Sequence, residues 1–81
     1  MRLKDWRKGA GMSAETFAGM IGVTRANVTN IETGYRNPSA SVAIEIDLLT
    51  DGEVPAATWF PGFAKIIDRH VSAITGRKKQ T

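Results

Sequence analysis

Apolar residues recur at helical spacing along most of this 81-residue chain, and no segment alternates apolar and polar residues as a strand would. Helix start and stop signals divide the pattern into six segments. The predicted helices cover residues 2–10, 14–21, 25–33, 40–51, 55–60 and 62–75. The pattern therefore predicts an all-α fold.

The most specific pattern lies between residues 14 and 33, where two short helical segments meet at Gly22. Phe17 and Ile21, four positions apart, form the apolar stripe of the first segment, and Ser13 precedes it as a good N-cap. Gly22 accepts the positive φ that a sharp reversal of the chain requires. The sequence thus predicts two helices joined by a tight turn.

The second of these segments, residues 25–33, has one apolar and one polar face. Val28 and Ile31 fall on the apolar face, and Thr24 is placed to cap the start of the helix. Ala18 in the preceding helix is small enough to let the two helices cross closely. This arrangement predicts a helix-turn-helix, whose second helix enters the major groove of DNA.

Residues 3–49 resemble the Cro/repressor-type helix-turn-helix family, which is lambda-repressor-like, is also called the XRE family and includes phage Cro-like regulators. The stretch that carries the resemblance best is MSAETFAGMIGVTRANVTNIETGYRNPS. The resemblance implies a compact bundle of five short helices, to which residues 62–75 add a C-terminal amphipathic helix. It also implies a transcriptional regulator, typically a dimeric repressor on a palindromic operator. Ala14 departs from the pattern, because the family often has a DNA-contacting glutamine there.

Five residues of the second helix are candidate base contacts. Arg25 can bond O6 and N7 of a guanine together, and Asn30 can bond an adenine in the same bidentate way. The methyl groups of Ala26 and Thr29 suit contact with thymine methyl groups, and Asn27 lies toward a base or a phosphate. Outside a helix-turn-helix, the same residues would be an ordinary solvated helix surface.

Phosphate contacts would position the domain without reading the sequence. Hydroxyl and amide groups near the helix starts and in the loop after the second helix are the candidates. They are Ser13, Thr24, Tyr35, Arg36 and Asn37. Lys4 and Lys8 could join them, or could form an ordinary solvated face of the first helix.

Two charged residues have a separate predicted role. In the resemblance, Arg7 and Glu32 occupy the positions of a structural ion pair that joins the first helix to the end of the third. Such a pair would hold the second helix of the motif at a fixed angle. Direct base reading by Arg7 is the alternative.

The last predicted helix carries an apolar stripe that suits dimerisation. The stripe consists of Phe63, Ile66, Ile67, Val71 and Ile74. A two-fold dimer through it would match a palindromic operator with half-sites about one DNA turn, ~34 Å, apart. The alternative is that the stripe completes the core of a monomer. His70, beside the stripe, is expected at the surface or in the interface rather than in a catalytic site.

The sequence predicts three parts: a DNA-binding domain over residues 1–60, a dimerisation helix over 61–76 and a disordered basic tail over 77–81. The net charge of +3 conceals a basic first part, with +3 over residues 1–44, and an acidic middle, with −3 over residues 45–76. A basic half beside an acidic half suits a protein of which one half faces DNA.

Composition narrows the function further. The chain has no cysteine and one histidine, so no thiolate metal site or metal-binding histidine cluster is expected. No nucleophile–base set, phosphate-binding loop, membrane span or signal peptide is apparent, and no cofactor or small-molecule ligand is predicted. We expect a cytoplasmic, non-enzymatic protein whose partners are double-stranded operator DNA and a second copy of itself. The alternative is an antitoxin-type interaction module that binds DNA for autoregulation.

Overall fold

Helices make up all the regular structure of residues 1–76, the part of the chain that the computed structural model describes. The five α-helices are α1 (Leu3–Gly9), α2 (Ala14–Ile21), α3 (Arg25–Thr33), α4 (Ala40–Leu49) and α5 (Ala64–Thr75). Two short 3-10 helices span Ala56–Trp59 and Pro61–Phe63. The prediction of an all-α fold is confirmed. The predicted tail, residues 77–81, lies outside the described residues.

Local capping signals explain why α2 and α3 have the predicted bounds. The Ser13 hydroxyl accepts a hydrogen bond from the Thr16 N–H at 3.1 Å. The Thr24 hydroxyl accepts one from the Asn27 N–H at 3.1 Å. Each bond satisfies a backbone donor that the first helical turn leaves without a partner. A glycine with positive φ follows each helix and ends it.

Several predicted helix bounds are wrong. The first helix, predicted over residues 2–10, spans Leu3–Gly9, and the larger differences lie in the second half of the chain. α4 ends at Leu49 instead of residue 51, because Asp51 and Gly52 adopt left-handed conformations with φ of 52° and 83°. The segment predicted as a helix over 55–60 is a 3-10 helix of four residues. α5 begins at Ala64 instead of residue 62, because a 3-10 turn that starts at Pro61 precedes it.

The chain divides into two compact units, residues 1–38 and residues 39–81. Unit 1 contains α1, α2 and α3. Its buried apolar residues come from all three helices and are Leu3, Phe17, Ala18, Ile21, Val28 and Ile31. The ring of Trp6 lies beside that of Phe17, with the centroids 6.1 Å apart and the planes tilted by 59°. Phe17 is fully buried, so α2 contributes the central side chain of this core.

Unit 2 contains α4, both 3-10 helices and α5. Its core cluster consists of Ala43, Ala56 and Val71, one residue from each of three elements. The side chains that pack against this cluster are Ile44, Trp59, Phe60 and Ile67. Trp59 and Phe60, both half-buried, therefore cover part of this core. The predicted division after residue 60 does not follow the packing, because α5 belongs with α4 and the first 3-10 helix.

A buried carboxylate organises the irregular segment between α4 and α5. Asp47 is 3 % exposed, and its Oδ2 accepts a hydrogen bond from the Ala56 N–H at 2.8 Å. The Thr50 hydroxyl accepts one from the Val54 N–H at 3.1 Å. These side chains supply acceptors that a regular helix or sheet would otherwise provide, so the segment stays ordered without regular structure.

Candidate nucleic-acid interface

The turn between α2 and α3 fixes how the two helices follow each other. Gly22 has φ 73° and ψ 30°, a left-handed conformation that side-chain-bearing residues rarely adopt. The N–H groups of Gly22 and Val23 both donate to the carbonyl of Ala18, the latter at 3.0 Å. The last turn of α2 is therefore closed by backbone hydrogen bonds, and the chain enters α3 after the three residues 22–24.

One side of α3 is buried and the other is open. Val28 and Ile31 are 0 % and 5 % exposed. The exposed residues within the helix are Arg25, Ala26, Thr29 and Thr33. At 3.6 residues per turn, these four lie on an arc of about 100° around the helix axis. Together they form a continuous exposed surface, which we call the α3 outer face.

The structure places only some of the predicted base contacts on the α3 outer face. Arg25, Ala26 and Thr29 lie on it, whereas Asn27 and Asn30 are half-buried and lie outside it. Thr33 lies on the face but is absent from the predicted set. Helical periodicity from Val28 and Ile31 does predict that Thr33, which follows Thr29 by one turn, lies on the exposed side.

Two threonine hydroxyls of the α3 outer face are turned toward the helix backbone. Thr29 Oγ1 donates to the carbonyl of Arg25 at 3.2 Å. Thr33 Oγ1 donates to the carbonyl of Asn30 at 3.3 Å. Such bonds to a carbonyl in the preceding turn are common for threonine in helices. The hydroxyl hydrogens of Thr29 and Thr33 are therefore both engaged within the helix. The sequence pattern does not reveal these bonds.

The start of α2 offers a different hydroxyl from the one predicted. Besides accepting the Thr16 N–H, the Ser13 hydroxyl donates to Thr16 Oγ1 at 3.0 Å. Its hydrogen is therefore engaged within the helix cap. The Thr16 hydroxyl, which is exposed, accepts this bond and keeps its own hydrogen for an outside acceptor.

The loop after α3 presents the other predicted phosphate contacts. Tyr35 is 74 % exposed, and the Arg36 guanidinium carbon lies 5.9 Å from the centre of its ring. The Arg36 N–H donates to the carbonyl of Asn30 at 3.2 Å, which ties the loop to the end of the helix. Asn37 is exposed as well. These exposed residues directly follow the C-terminal end of α3.

The predicted ion pair is present in unit 1. Arg7 Nε lies 2.7 Å from Glu32 Oε2, and Nη2 donates to Oε1 at 3.1 Å. The side chains are only 12 % and 6 % exposed. A third bond, from Arg7 Nη1 to the carbonyl of Met12, measures 2.9 Å. The hydrogen bond to Glu32 raises the pKa of Arg7 above its ordinary value, so the charged form is the one that the fold stabilises.

Charge is distributed unequally between the two units. Unit 1 has six basic and three acidic residues, a net charge of +3. The described part of unit 2, residues 39–76, has two basic and five acidic residues, a net charge of −3. Arg25 and Arg36 belong to unit 1, so the more basic unit is the one that contains the α3 outer face.

The apolar stripe predicted on the last helix separates into two parts. Val71 is 5 % exposed and belongs to the core cluster of unit 2, and Ile67 packs against that cluster. These two positions, assigned from the sequence to a dimer interface, complete the core of their own unit. Phe63, Ile66 and Ile74 remain 62 %, 62 % and 51 % exposed. We call these three residues the α5 outer stripe, and exposed His70 falls among them.

Within residues 1–76, no group of three or more histidine, cysteine, aspartate or glutamate residues could hold a metal ion. None of the helices described is long and apolar enough to cross a membrane.

Comparison with known proteins agrees with this geometry. The family model described as helix-turn-helix matches residues 3–51, more than half of the chain. The matched region includes α2, the turn at Gly22 and α3, and it ends before α5. No curated protein and no solved structure matches the chain.

Proposed function

Because the chain belongs to the helix-turn-helix family of Cro- and lambda-repressor-like DNA-binding regulators, we propose that it is a phage Cro-like repressor that binds a palindromic operator as a dimer. The observation that carries the proposal is the α3 outer face, an exposed surface on the helix that follows the tight turn. In this motif the second helix lies in the major groove of DNA. The protein would act in the cytoplasm of a bacterial or phage-infected cell, at the nucleoid.

Arg25 is proposed to read the operator most directly. It lies in the first turn of α3, and in this class of motif the N-terminal residues of the helix contact base edges. Its exposed guanidinium can bond O6 and N7 of one guanine at once. Asn30, which lies beside the α3 outer face, would contact a neighbouring base. Asn27 lies farther round the helix on the same side and would reach a base or a phosphate.

Contacts to phosphates would fix the helix in the groove without reading sequence. The loop residues Tyr35, Arg36 and Asn37 are exposed at the C-terminal end of α3, where the chain leaves the helix. Thr24 would contribute at the N-terminal end. The start of α2 would contribute through the Thr16 hydroxyl and through backbone N–H groups at Ser13 and its neighbours, because the Ser13 hydroxyl hydrogen is engaged in the cap. The net charge of +3 on unit 1 favours such contacts over the whole surface.

Dimerisation is proposed through the α5 outer stripe. Phe63 and Ile66 are each 62 % exposed. Large apolar side chains that are exposed together are typical of an interaction surface. A two-fold interface uses the same patch on both copies, so one stripe suffices. The dimer would present two copies of α3 to the two halves of a palindrome. A single module buries little DNA surface, so the second copy also supplies affinity.

Selection from a pool of random 30-base-pair duplexes tests the proposal directly. The purified chain should enrich a two-fold symmetric motif and should bind it as two chains per duplex, measured by sedimentation. Enrichment of an asymmetric site by single chains would contradict the dimer. Two results would contradict the proposed repressor function. One is failure to enrich any duplex, and the other is stable co-purification of a different protein bound to α5 in place of a second copy.

A further inference from the structure

Charge within unit 2 is divided between two of its surfaces. Residues 39–63 contain no basic residue and four acidic ones, a net charge of −4; the four are Glu45, Asp47, Asp51 and Glu53. All of them except Asp47 are exposed. In α5, Lys65 and Arg69 outweigh Asp68, which gives the helix a net charge of +1 with His70 neutral. Unit 2 therefore has an acidic surface from α4 and the segment after it, and a basic surface from α5.

The basic side chains of α5 lie along one edge of the α5 outer stripe. At about 100° per residue, Arg69 lies about 60° round the helix from Ile66, and Lys65 lies about 40° farther in the same direction. Both basic residues are exposed, whereas Asp68 is half-buried on the reverse side of the helix. The other edge of the stripe is bordered by Ile67, which packs against the core cluster of unit 2. The exposed edge of the stripe is therefore basic.

The exposed face of α4 has the complementary order of apolar and charged residues. After its first residue, the exposed positions of α4 are Ser41, Glu45 and Leu48, which we call the α4 outer strip. Leu48 lies about 40° round the helix from Ile44, which packs against the same core cluster as Ile67. Glu45 lies about 60° beyond Leu48. Each helix thus places exposed apolar residues next to the core and charge farther out, acidic on α4 and basic on α5.

We propose that the α5 outer stripe of one copy packs against the α4 outer strip of a second copy, and that two-fold symmetry forms this contact twice. The inference rests on the proposed dimer and specifies the surface that the stripe meets. In a two-fold interface, if α5 contacts α4 of the second copy, then α4 contacts α5 of that copy. The stripe covers Leu48 of the second copy, and the basic edge with Arg69 lies beside Glu45 of the second copy. Opposite charges therefore meet at both contacts.

A contact between the two α5 outer stripes would bring like charges together. In an antiparallel two-fold pair of identical helices, each edge of one helix faces the same edge of the other. The edge with Lys65 and Arg69 would therefore face its own copy, and like charges across an interface are unfavourable. A parallel pair would need the edge at Ile67, which the core of unit 2 occupies. Charge thus favours α4 as the surface opposite the stripe.

Charge reversal on the two helices tests the contact, with dimerisation measured by sedimentation in the absence of DNA. The α5 variant is Lys65→Glu with Arg69→Glu, and the α4 variant is Glu45→Lys. Each brings like charges together at both contacts, so each should weaken dimerisation roughly tenfold. The triple variant restores opposite charges and should dimerise as the wild-type chain does. Glu15→Lys, at an exposed position of α2, is the matched control.

The alternative contact between two α5 outer stripes predicts different results. There the α5 variant replaces one pair of like charges by another, and Glu45→Lys lies outside the contact, so neither would weaken dimerisation. Salt distinguishes the two arrangements in the wild-type chain as well. Raising NaCl from about 0.05 M to about 0.5 M should weaken a dimer that opposite charges stabilise, and should strengthen one in which like charges face each other.

Two results would overturn the contact while leaving the proposed dimer in place. One is wild-type dimerisation by both single-surface variants, and the other is a triple variant that is as weak as they are although its melting temperature is unchanged. All three positions are exposed, so thermal melting should show an intact fold in every variant. A wild-type chain that stays monomeric, both free and on its enriched duplex, would overturn the proposed dimer and the contact together.

Discussion

Arg7 and Glu32, 25 residues apart in sequence, are joined by two parallel hydrogen bonds of 2.7 and 3.1 Å. The bonds connect α1 to the last turn of α3. Arg7 also donates to the carbonyl of Met12, at 2.9 Å, so one guanidinium holds two helices and the connection that leads to α2. The flat fork of an arginine suits this geometry, which a lysine cannot reproduce.

Loss of either partner should destabilise unit 1. Arg7→Met leaves the nearly buried carboxylate of Glu32 without its charge partner, and we expect unfolding to become easier by about 3 kcal/mol. Glu32→Gln should cost less, because the amide oxygen can still accept a hydrogen bond. A double-mutant cycle measured by urea unfolding should give a coupling of about 1 kcal/mol or more. Strictly additive effects would show that the two groups act independently.

The glycines at positions 19 and 22 should respond to alanine in opposite ways. Gly22 has φ 73°, so Gly22→Ala should destabilise the chain by about 1–2 kcal/mol. Gly19 is exposed within α2, and a Cβ there meets nothing within 4 Å. Gly19→Ala should therefore stabilise the chain by about 0.5–1 kcal/mol. Thermal melting of the two variants side by side provides the measurement, and equal shifts would contradict the assigned turn.

Arg25 should carry a large part of base discrimination. Arg25→Ala should weaken binding to the enriched duplex by about 1–3 kcal/mol and relax preference at one base pair of each half-site. Arg25→Lys keeps the charge but lacks the bidentate fork, so it should keep general DNA affinity and lose that preference. Competition with mutated duplexes measures both effects. Arg69→Ala, which removes an exposed arginine of unit 2, should leave the preference unchanged.

Substitution of two adjacent isoleucines of α5 should distinguish a loss of dimerisation from a loss of stability. Ile66 is 62 % exposed, so Ile66→Asp should leave the fold intact and weaken dimerisation at least about tenfold. Ile67 packs against the core cluster of unit 2, so Ile67→Asp should lower stability by about 3 kcal/mol. Light scattering and thermal melting distinguish the two results. A fully dimeric Ile66→Asp variant would place the interface elsewhere.

Asp47 should matter for stability through its hydrogen bond to the Ala56 N–H. Asp47→Ala leaves that buried donor without its acceptor, and we expect a loss of about 1–3 kcal/mol in urea unfolding. Asp47→Asn keeps an oxygen in place and should cost clearly less. A difference of this sign would assign the effect to the acceptor; equal losses would assign it to the negative charge.

The first half of the fold was predictable because its signals are local. Ser13 and Thr24 cap α2 and α3 through bonds that reach only three residues ahead, and Gly22 ends α2 by its own conformation. Such features depend on short stretches of chain, so the sequence displays them. The end of α4 and the segment after it depend also on Asp51, a non-glycine residue with φ 52°, and on a carboxylate bonded nine residues ahead. Neither feature is indicated by a local sequence pattern.

The site was predictable in outline but not in its details. Spacing alone gives α5 a broad apolar stripe, and only packing shows that Ile67 and Val71 face the core of unit 2 while Ile66 remains outside. In α3, spacing identifies the exposed side. It does not reveal that the Thr29 hydroxyl is bonded to its own backbone, because rotamer choice depends on the folded helix.

The bond from Arg7 Nε to Glu32 supplies unit 1 with a spectroscopic reporter. A side-chain N–H that is nearly buried and bonded to a carboxylate at 2.7 Å exchanges slowly with solvent, so it should give a separate proton resonance in nuclear magnetic resonance spectra. Addition of DNA would shift that resonance if α3 tilts on binding and would leave it in place if the helix docks as a rigid body. The same residue that holds α3 thus allows its motion to be followed without a label.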